Sequence, residues 1–385
     1  MDRLYFDNAA TSWPKPESVY VAVDRYQREL GVAAGRGSYR DSEEVSRLIN
    51  RLRSKLANLI GAEGPERIVF TQNCTDSLNL ALHGLLNEGD HVVSTVAEHN
   101  SILRPLHELR HRGVTSTLVD LNEAGGIDES QLVKAVRPET RLIAVTHASN
   151  VTGFLQPLDG ISQIARQHDC LLLLDAAQTL GHVPVNVATA GVDLLAAPGH
   201  KGLLGPLGTG LLYLAPGLED AVRSIRQGGT GTQSELAEQP TQMPAKFEAG
   251  NLNVPGLVGL EAGVQHVVGH LQELLDERHF ETCTEMLIDG IGQLPGVTMY
   301  SRPNRTGIVS FNVAGYDPRE FATLLDSTAT IQVRAGLHCA PLMHRHLGTV
   351  ETGGAVRASF GHWSTELEIA KLIEAVSMLA AVSLG

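Results

Sequence analysis

The chain has 385 residues, more than a single hydrophobic core usually serves, so two packed domains are expected. Hydrophobic residues make up 43% and charged residues 19%, the balance of a globular protein with neither a low-complexity tract nor an internal repeat. The net charge of −13, with 30 Lys and Arg scattered along the chain, argues against a general binder of nucleic acid or anionic membrane, which needs clustered cations.

The stretch "MDRLYFDNAA" carries acid and amide where a secretory signal has a basic end and an apolar run, and no apolar stretch reaches the roughly 18 residues of a membrane span. The expectation is a cytoplasmic protein with neither membrane nor nucleic-acid partners. Cysteines at 74, 170, 283 and 339 are too far apart for CxxC pairs, so neither a metal site nor a disulfide framework is expected.

The first strong helical pattern is "SEEVSRLINRLRSKLANLIG" from Ser42, with acids in its first turn and Gly61 at its end. Strands are predicted at "RIVFT" (67), "HVVSTV" (91), "TSTLVD" (115), "RLIAVTH" (141), "LLLLDA" (171), "LLAAPG" (194) and "GTGLLYL" (208), with helical patterns interleaved. Several are apolar on both alternating faces, as strands covered on both sides must be. The series predicts an α/β fold with a mostly parallel seven-stranded sheet between helices.

After "RQGGTGTQSELAEQP" the pattern changes to a long helix from about Pro255 to Ile291, strands "GIVSFNVAG" and "AVRASF", and a terminal helix from Thr365. The division is a large domain over 16–254 and a smaller α+β domain over 255–385. The arm 1–15, grouped with the smaller domain, is compatible with either.

In an open parallel sheet ligands bind beyond the carboxyl ends of the strands. Those ends read "TQNCTDSLN", "AEHNSI", "THASNVTG", "DAAQT" and "PGHKG". Around Cys74 and Thr75 a strand turns into a helix, whose first N–H groups favour a phosphate; Thr75 as a plain helix cap is the equal alternative. Asp175 ends an apolar strand, where a carboxylate is costly unless it meets a cation such as a protonated pyridine nitrogen; an Asp bonded to a loop backbone is the bland alternative. Lys201, in "PGHKGLLG", has no carboxylate within six residues and lies one helix and one strand beyond Asp175, at the same sheet edge. An amine among small residues can lose its proton and condense with an aldehyde.

These motifs, in this order, resemble the cysteine desulfurases, a class V aminotransferase-like branch of fold-type I pyridoxal-phosphate enzymes. The resemblance runs through "YFDNAATSWPKP", "DAAQT", "GHKGLLGPLGTG", "GGTGTQSE", "FEAGNLN", "RAGLHCAP" and "VRASF". It implies pyridoxal phosphate as cofactor, with Lys201 on its aldehyde, Asp175 at its ring nitrogen, His99 stacked on the ring and Gln178 near the ring oxygen. Thr75, Cys74 and His200 would contact the phosphate, and Asn251 would reach it across a homodimer interface. Asn150 and Arg357, with Arg334 nearby, would hold the substrate carboxylate, for which a planar guanidinium is suited. Cys339 would attack the sulfur of L-cysteine, leaving alanine and a persulfide that passes to an acceptor protein or small thiol.

The resemblance does not displace the bland readings, in which His99 is a surface histidine beside Glu98 and Arg357 a structural ion-pair partner. Cys170 and Cys283 read as core. Cys339 stands in a glycine-containing loop beside His338 and near Arg334, where positive neighbours would favour a thiolate. The chain departs from the family pattern at Asn251, where Thr is usual after "FEAG", at Pro198, where Ser is usual, and at Ala33 and Ala34, where Asn-Pro is usual. The stretch "GGTGTQSE" matches a subgroup whose role is less settled than that of the iron–sulfur assembly enzymes, and Thr230 and Thr232 could replace lost phosphate contacts. Two rival functions stay open: a lyase releasing sulfide from cysteine or cystine or acting on selenocysteine, and a cofactor-free sulfur-pathway binding protein.

Overall fold

The structure, a computed structural model, describes residues 3–35, 37–235 and 237–384. Its strands are β1 (Leu4–Tyr5), β2 (Ile68–Thr71), β3 (His91–Thr95), β4 (Thr115–Val119), β5 (Thr140–Thr146), β6 (Leu171–Asp175), β7 (Leu194–Pro198), β8 (Gly210–Leu214), β9 (Val297–Met299), β10 (Ile308–Val313), β11 (Ile331–Gln332), β12 (Arg334–Gly336) and β13 (Ala355–Ser359). The large sheet is seven-stranded in the order β2-β8-β7-β6-β5-β3-β4. Only β8 runs against its neighbours, so the expected mostly parallel α/β sheet is present.

The apolar runs form strands because both faces of the sheet are covered. Leu172 and Leu174 of β6 join the core on one face, with Ile143 and Val145 of β5, while Leu173, Leu142 and Ala144 join the core on the other. The helix Arg40–Ile60 buries Val45, Ile49, Leu52, Leu56 and Ile60, one stripe at helical spacing, and Gly61 ends it in the left-handed conformation at φ 66°.

A four-stranded antiparallel sheet, β12-β13-β10-β9, builds the second core with helices Pro318–Ala329 and Glu366–Leu384. The long helix expected to Ile291 is two helices, Val254–Asp276 and His279–Ile291. Arg278 between them takes a left-handed φ of 52°, which a continuing right-handed helix does not accommodate. The first helix packs Leu257, Leu260 and Val264 into the large core, and the second packs Cys283, Leu287 and Ile291 into the small one.

The N-terminal arm touches both parts. Strand β1 pairs with β11, and Phe6 lies in the small core. Farther along, the Ser12 N–H, Thr11 hydroxyl and Lys15 ammonium all donate to the carbonyl of His200, at 3.0, 3.2 and 2.8 Å. Among the described residues no helix is long and apolar enough to cross a membrane, and no group of His, Cys, Asp and Glu is arranged to hold a metal ion.

Candidate active site

The carboxyl ends of β2, β3, β5, β6 and β7 face one cavity of about 270 Å³, closed on its far side by β12, β13 and the Cys339 loop. Lys201, Asp175, His99, Gln178, Thr75, Cys74, His200, Asn150, Arg357, Arg334 and Cys339 all line it. Parallel register explains part of this convergence: Thr146 at the end of β5 pairs with Asp175 at the end of β6, and β7 continues into Lys201.

Asp175 is 3% exposed, accepts from the Ala177 N–H at 2.9 Å, and lies 3.4 Å from the Cys74 thiol. Burial raises its pKa, and among the described residues no cation forms an ion pair with it. Burial, and then the Asp175 carboxylate, also push the Cys74 thiol well above its ordinary range, so this cysteine stays protonated. Lys201 is pushed down to about 8 by burial and by the Arg357 guanidinium, with Asp175 opposing. A substantial fraction of the neutral amine is therefore available near physiological pH.

His99 accepts the Ser101 N–H on Nδ1 at 3.1 Å, which leaves its proton on Nε2. Burial and the nearby Lys201 ammonium push it down to about 4, so the imidazole is neutral. The Ser101 hydroxyl lies 2.8 Å from the same Nδ1 and 2.7 Å from the Thr75 hydroxyl, joining the starts of the helices Asn100–Leu109 and Cys74–Leu85. The cap of the latter helix is Asn73, which accepts the Asp76 N–H at 2.9 Å; Thr75 is not the cap. Its first internal bond, Ser77 N–H to Asn73 O, leaves the first-turn N–H groups of Cys74 and Thr75 available to an anion.

Arg357 is fully buried, bonded through Nη2 to Asp7 at 2.8 Å and through Nη1 to the Asn150 carbonyl at 2.9 Å, with Nε unpartnered. It is thus an ion-pair partner and a cavity wall at once, and three of its N–H groups remain for a carboxylate. Its cross-strand partner on β12 is Arg334, whose Nη2 lies 3.8 Å from the Cys339 sulfur. Cys339 is exposed, whereas Cys74, Cys170 and Cys283 are buried. The expectation of a positive His338 beside the thiol fails: burial, then Arg357, push this imidazole down to about 2, so it carries no charge. Arg334 is the cation at Cys339.

Asn251 is not in this cavity. It is exposed and borders a second one, of about 450 Å³, with Thr230, Thr232, Arg53 and Glu248. Pro198 does line the first cavity, and Ala34 borders the second. Sequence reasoning missed Asp7, Ser101 and Glu98. The hydroxyl two residues after His99, at a helix start, was the available signal for Ser101.

The residues fit the cofactor that the resemblance implies. A buried carboxylate lacking a cation suits a protonated ring nitrogen, a helix start suits a phosphate, and the His200 Nδ1, buried without a partner, is one more polar atom to be satisfied.

The fold and the site define a class: an open α/β sheet that gathers an amine, a buried carboxylate and an anion-ready helix start at one edge, as fold-type I enzymes do. The family model Aminotransferase class-V matches residues 4–372. A Methanothermobacter thermautotrophicus protein named "Probable cysteine desulfurase" is 39% identical, covering 99% of this chain and 96% of its own. The apo cysteine desulfurase structure from Thermococcus onnurineus superposes with a TM-score of 0.91 at 32% identity, over 99% of this chain and 95% of that one. The cysteine desulfurase CsdA of Escherichia coli gives 0.88 at 27% identity, with the same coverage. The chain belongs to the class-V aminotransferase family and, within it, to the cysteine desulfurases.

Proposed function

We propose that the chain is a pyridoxal-phosphate-dependent cysteine desulfurase that takes sulfur from L-cysteine onto Cys339, forming alanine. The observation that carries this reading is that Cys339 and Lys201 border the same cavity. A lyase that only eliminates sulfide needs Lys201 but has no task for an attacking thiol.

Bound in the cavity, the cofactor supplies an electron sink for charge left on the substrate α-carbon. Asp175 would meet the ring nitrogen, and the neutral imidazole of His99 would face the ring without adding charge. The first-turn N–H groups after Asn73, with Thr75 and His200, would hold the phosphate. Lys201 would meet the aldehyde and, as a free amine, would move the α-proton, a task suited to an amine pushed down to about 8. Arg357 and Asn150 would orient the substrate carboxylate, and Arg334, paired across the strands with Arg357, lies 3.8 Å from the Cys339 sulfur.

The Cys339 sulfur then bonds to the substrate sulfur as the substrate C–S bond breaks. The electron pair stays on the substrate carbon, which takes a proton and leaves as alanine, and the persulfide passes to an acceptor thiol. Asn251 borders a cavity away from Lys201, so the phosphate contact that the resemblance implies for it would come from the second copy of a homodimer.

Holoprotein given L-cysteine and a thiol reductant is expected to release alanine and sulfide in equal amounts. Cys339→Ser is expected to lower alanine release by about a hundredfold or more while the yellow cofactor stays bound. Pyruvate in place of alanine, indifferent to that substitution, would make the protein a lyase.

A further inference from the structure

The thiol is carried by two consecutive left-handed residues, His338 at φ 48° and Cys339 at φ 57°. Neither is glycine, so the surroundings must hold the pair in place. Two bonds come from the large domain: Asn150 Nδ2 donates to the His338 carbonyl, and the Asn100 N–H donates to the Cys339 carbonyl, each at 2.7 Å.

The third restraint is a buried side-chain series that the desulfurase chemistry leaves unused. His338 Nδ1 lies 3.1 Å from His344 Nε2, and His344 Nδ1 lies 2.7 Å from the Thr349 hydroxyl. The two rings stack with centroids 5.2 Å apart, and they are 3% and 0% exposed. The Thr349 hydroxyl also lies 3.2 Å from the His344 carbonyl, which ties the far end of the series to the helix that carries His344. One proton lies between His338 Nδ1 and His344 Nε2, and one between His344 Nδ1 and the Thr349 hydroxyl, so the two rings and the hydroxyl hold one another in place. Burial and then Arg357 push both imidazoles down, His344 to about 4, so the series is uncharged.

We propose that His344 is a positioning residue for Cys339: held by the Thr349 hydroxyl, it fixes the His338 ring and with it the strained pair that carries the thiol at the cavity mouth. The proposal deepens the desulfurase reading and rests on it, since the thiol so held is the one that takes sulfur.

The test uses holoprotein of three variants. His344→Leu removes the hydrogen-bond partner of the His338 ring, and Thr349→Val removes the hydroxyl that holds the His344 ring. His344→Gln restores an amide that can both donate and accept, toward His338 and Thr349. For His344→Leu the expected results are faster backbone amide exchange over 337–340, single-turnover persulfide formation slowed about ten- to a hundredfold, and an unchanged KM. Thr349→Val should move both readouts in the same direction, and it carries the test should His344→Leu fail to fold. His344→Gln should recover most of the rate. Wild-type exchange and persulfide rates in both His344→Leu and Thr349→Val would overturn the proposal, as would a His344→Gln variant as slow as His344→Leu. A wild-type protein that forms no persulfide would overturn the desulfurase reading instead, and the amide exchange would then decide the positioning alone.

Discussion

Glu98, fully buried one residue before His99, has its acid raised to about 8 by burial; the Thr95 hydroxyl, 2.6 Å from Oε1, only partly opposes this. The folded protein therefore keeps a proton that the unfolded chain loses near 4.5. Stability from this group is complete below 4.5 and is lost as pH rises through about 8. Glu98→Gln keeps an acceptor for Thr95 and abolishes the titration. Thermal melts of the variant should decline less than wild type between pH 4.5 and 8; parallel curves would show that Glu98 does not titrate in this range. At this scale the sequence marked the groups whose surroundings are odd: Lys201 without a nearby acid, Asp175 at the end of an apolar run, Cys339 in a glycine loop. It did not mark Asp7 or His344. Their roles depend on partners such as Arg357, 350 residues from Asp7, or on contacts between buried side chains that no local pattern encodes.

The loop that follows Asp175 at the end of β6 and the loop after β7 that carries Lys201 pass backbone against backbone at two glycines. A Cβ on Gly181, whose φ is 94°, would stand 2.2 Å from the Gly202 carbonyl oxygen, and one on Gly202 would stand 2.4 Å from the Leu180 oxygen. Neither obstacle is a flexible side chain, so the backbone next to Lys201 must shift. Gly181→Ala is expected to cost about 1–3 kcal/mol and to weaken retention of the cofactor, followed by melting and by visible absorbance. Gly217 has a similar φ of 88° with nothing within 4 Å, so Gly217→Ala measures the backbone strain alone. Equal losses in the two variants would remove the close approach as a cause. The strands of the large sheet were legible because their apolar residues need burial on both faces. The helix break at Arg278 was not, because the apolar pattern continues across it while the packing changes from one core to the other.

Across the whole molecule, buried and half-buried histidines are held neutral by desolvation, His147, His182, His200 and His344 pushed down to about 4. Between the unfolded value of 6.5 and about 4, the unfolded chain takes up protons that the folded protein refuses. This contribution is intact above 6.5 and is lost as pH falls toward 4, opposite in sign to that of Glu98. Unfolding near pH 5 is expected to bind more than about one net proton, read from the pH dependence of denaturant stability. Uptake below one proton would mean that these histidines titrate normally in the folded state.

The sequence alone determined the strand and helix pattern and the sheet edge at which Lys201 and Asp175 lie, while the roles given to Lys201, Asp175 and Cys339 came from the family resemblance. The first two follow from alternation along the chain and from residues in unsuitable company. Only the tertiary structure decided which groups are charged and what holds them: the neutral His338, the Asp7–Arg357 pair, and the arm of β1, with Phe6 in the small core and hydrogen bonds to the His200 carbonyl. Protonation and orientation depend on burial and on partners brought together across hundreds of residues, and those are settled by packing rather than by neighbours in the chain.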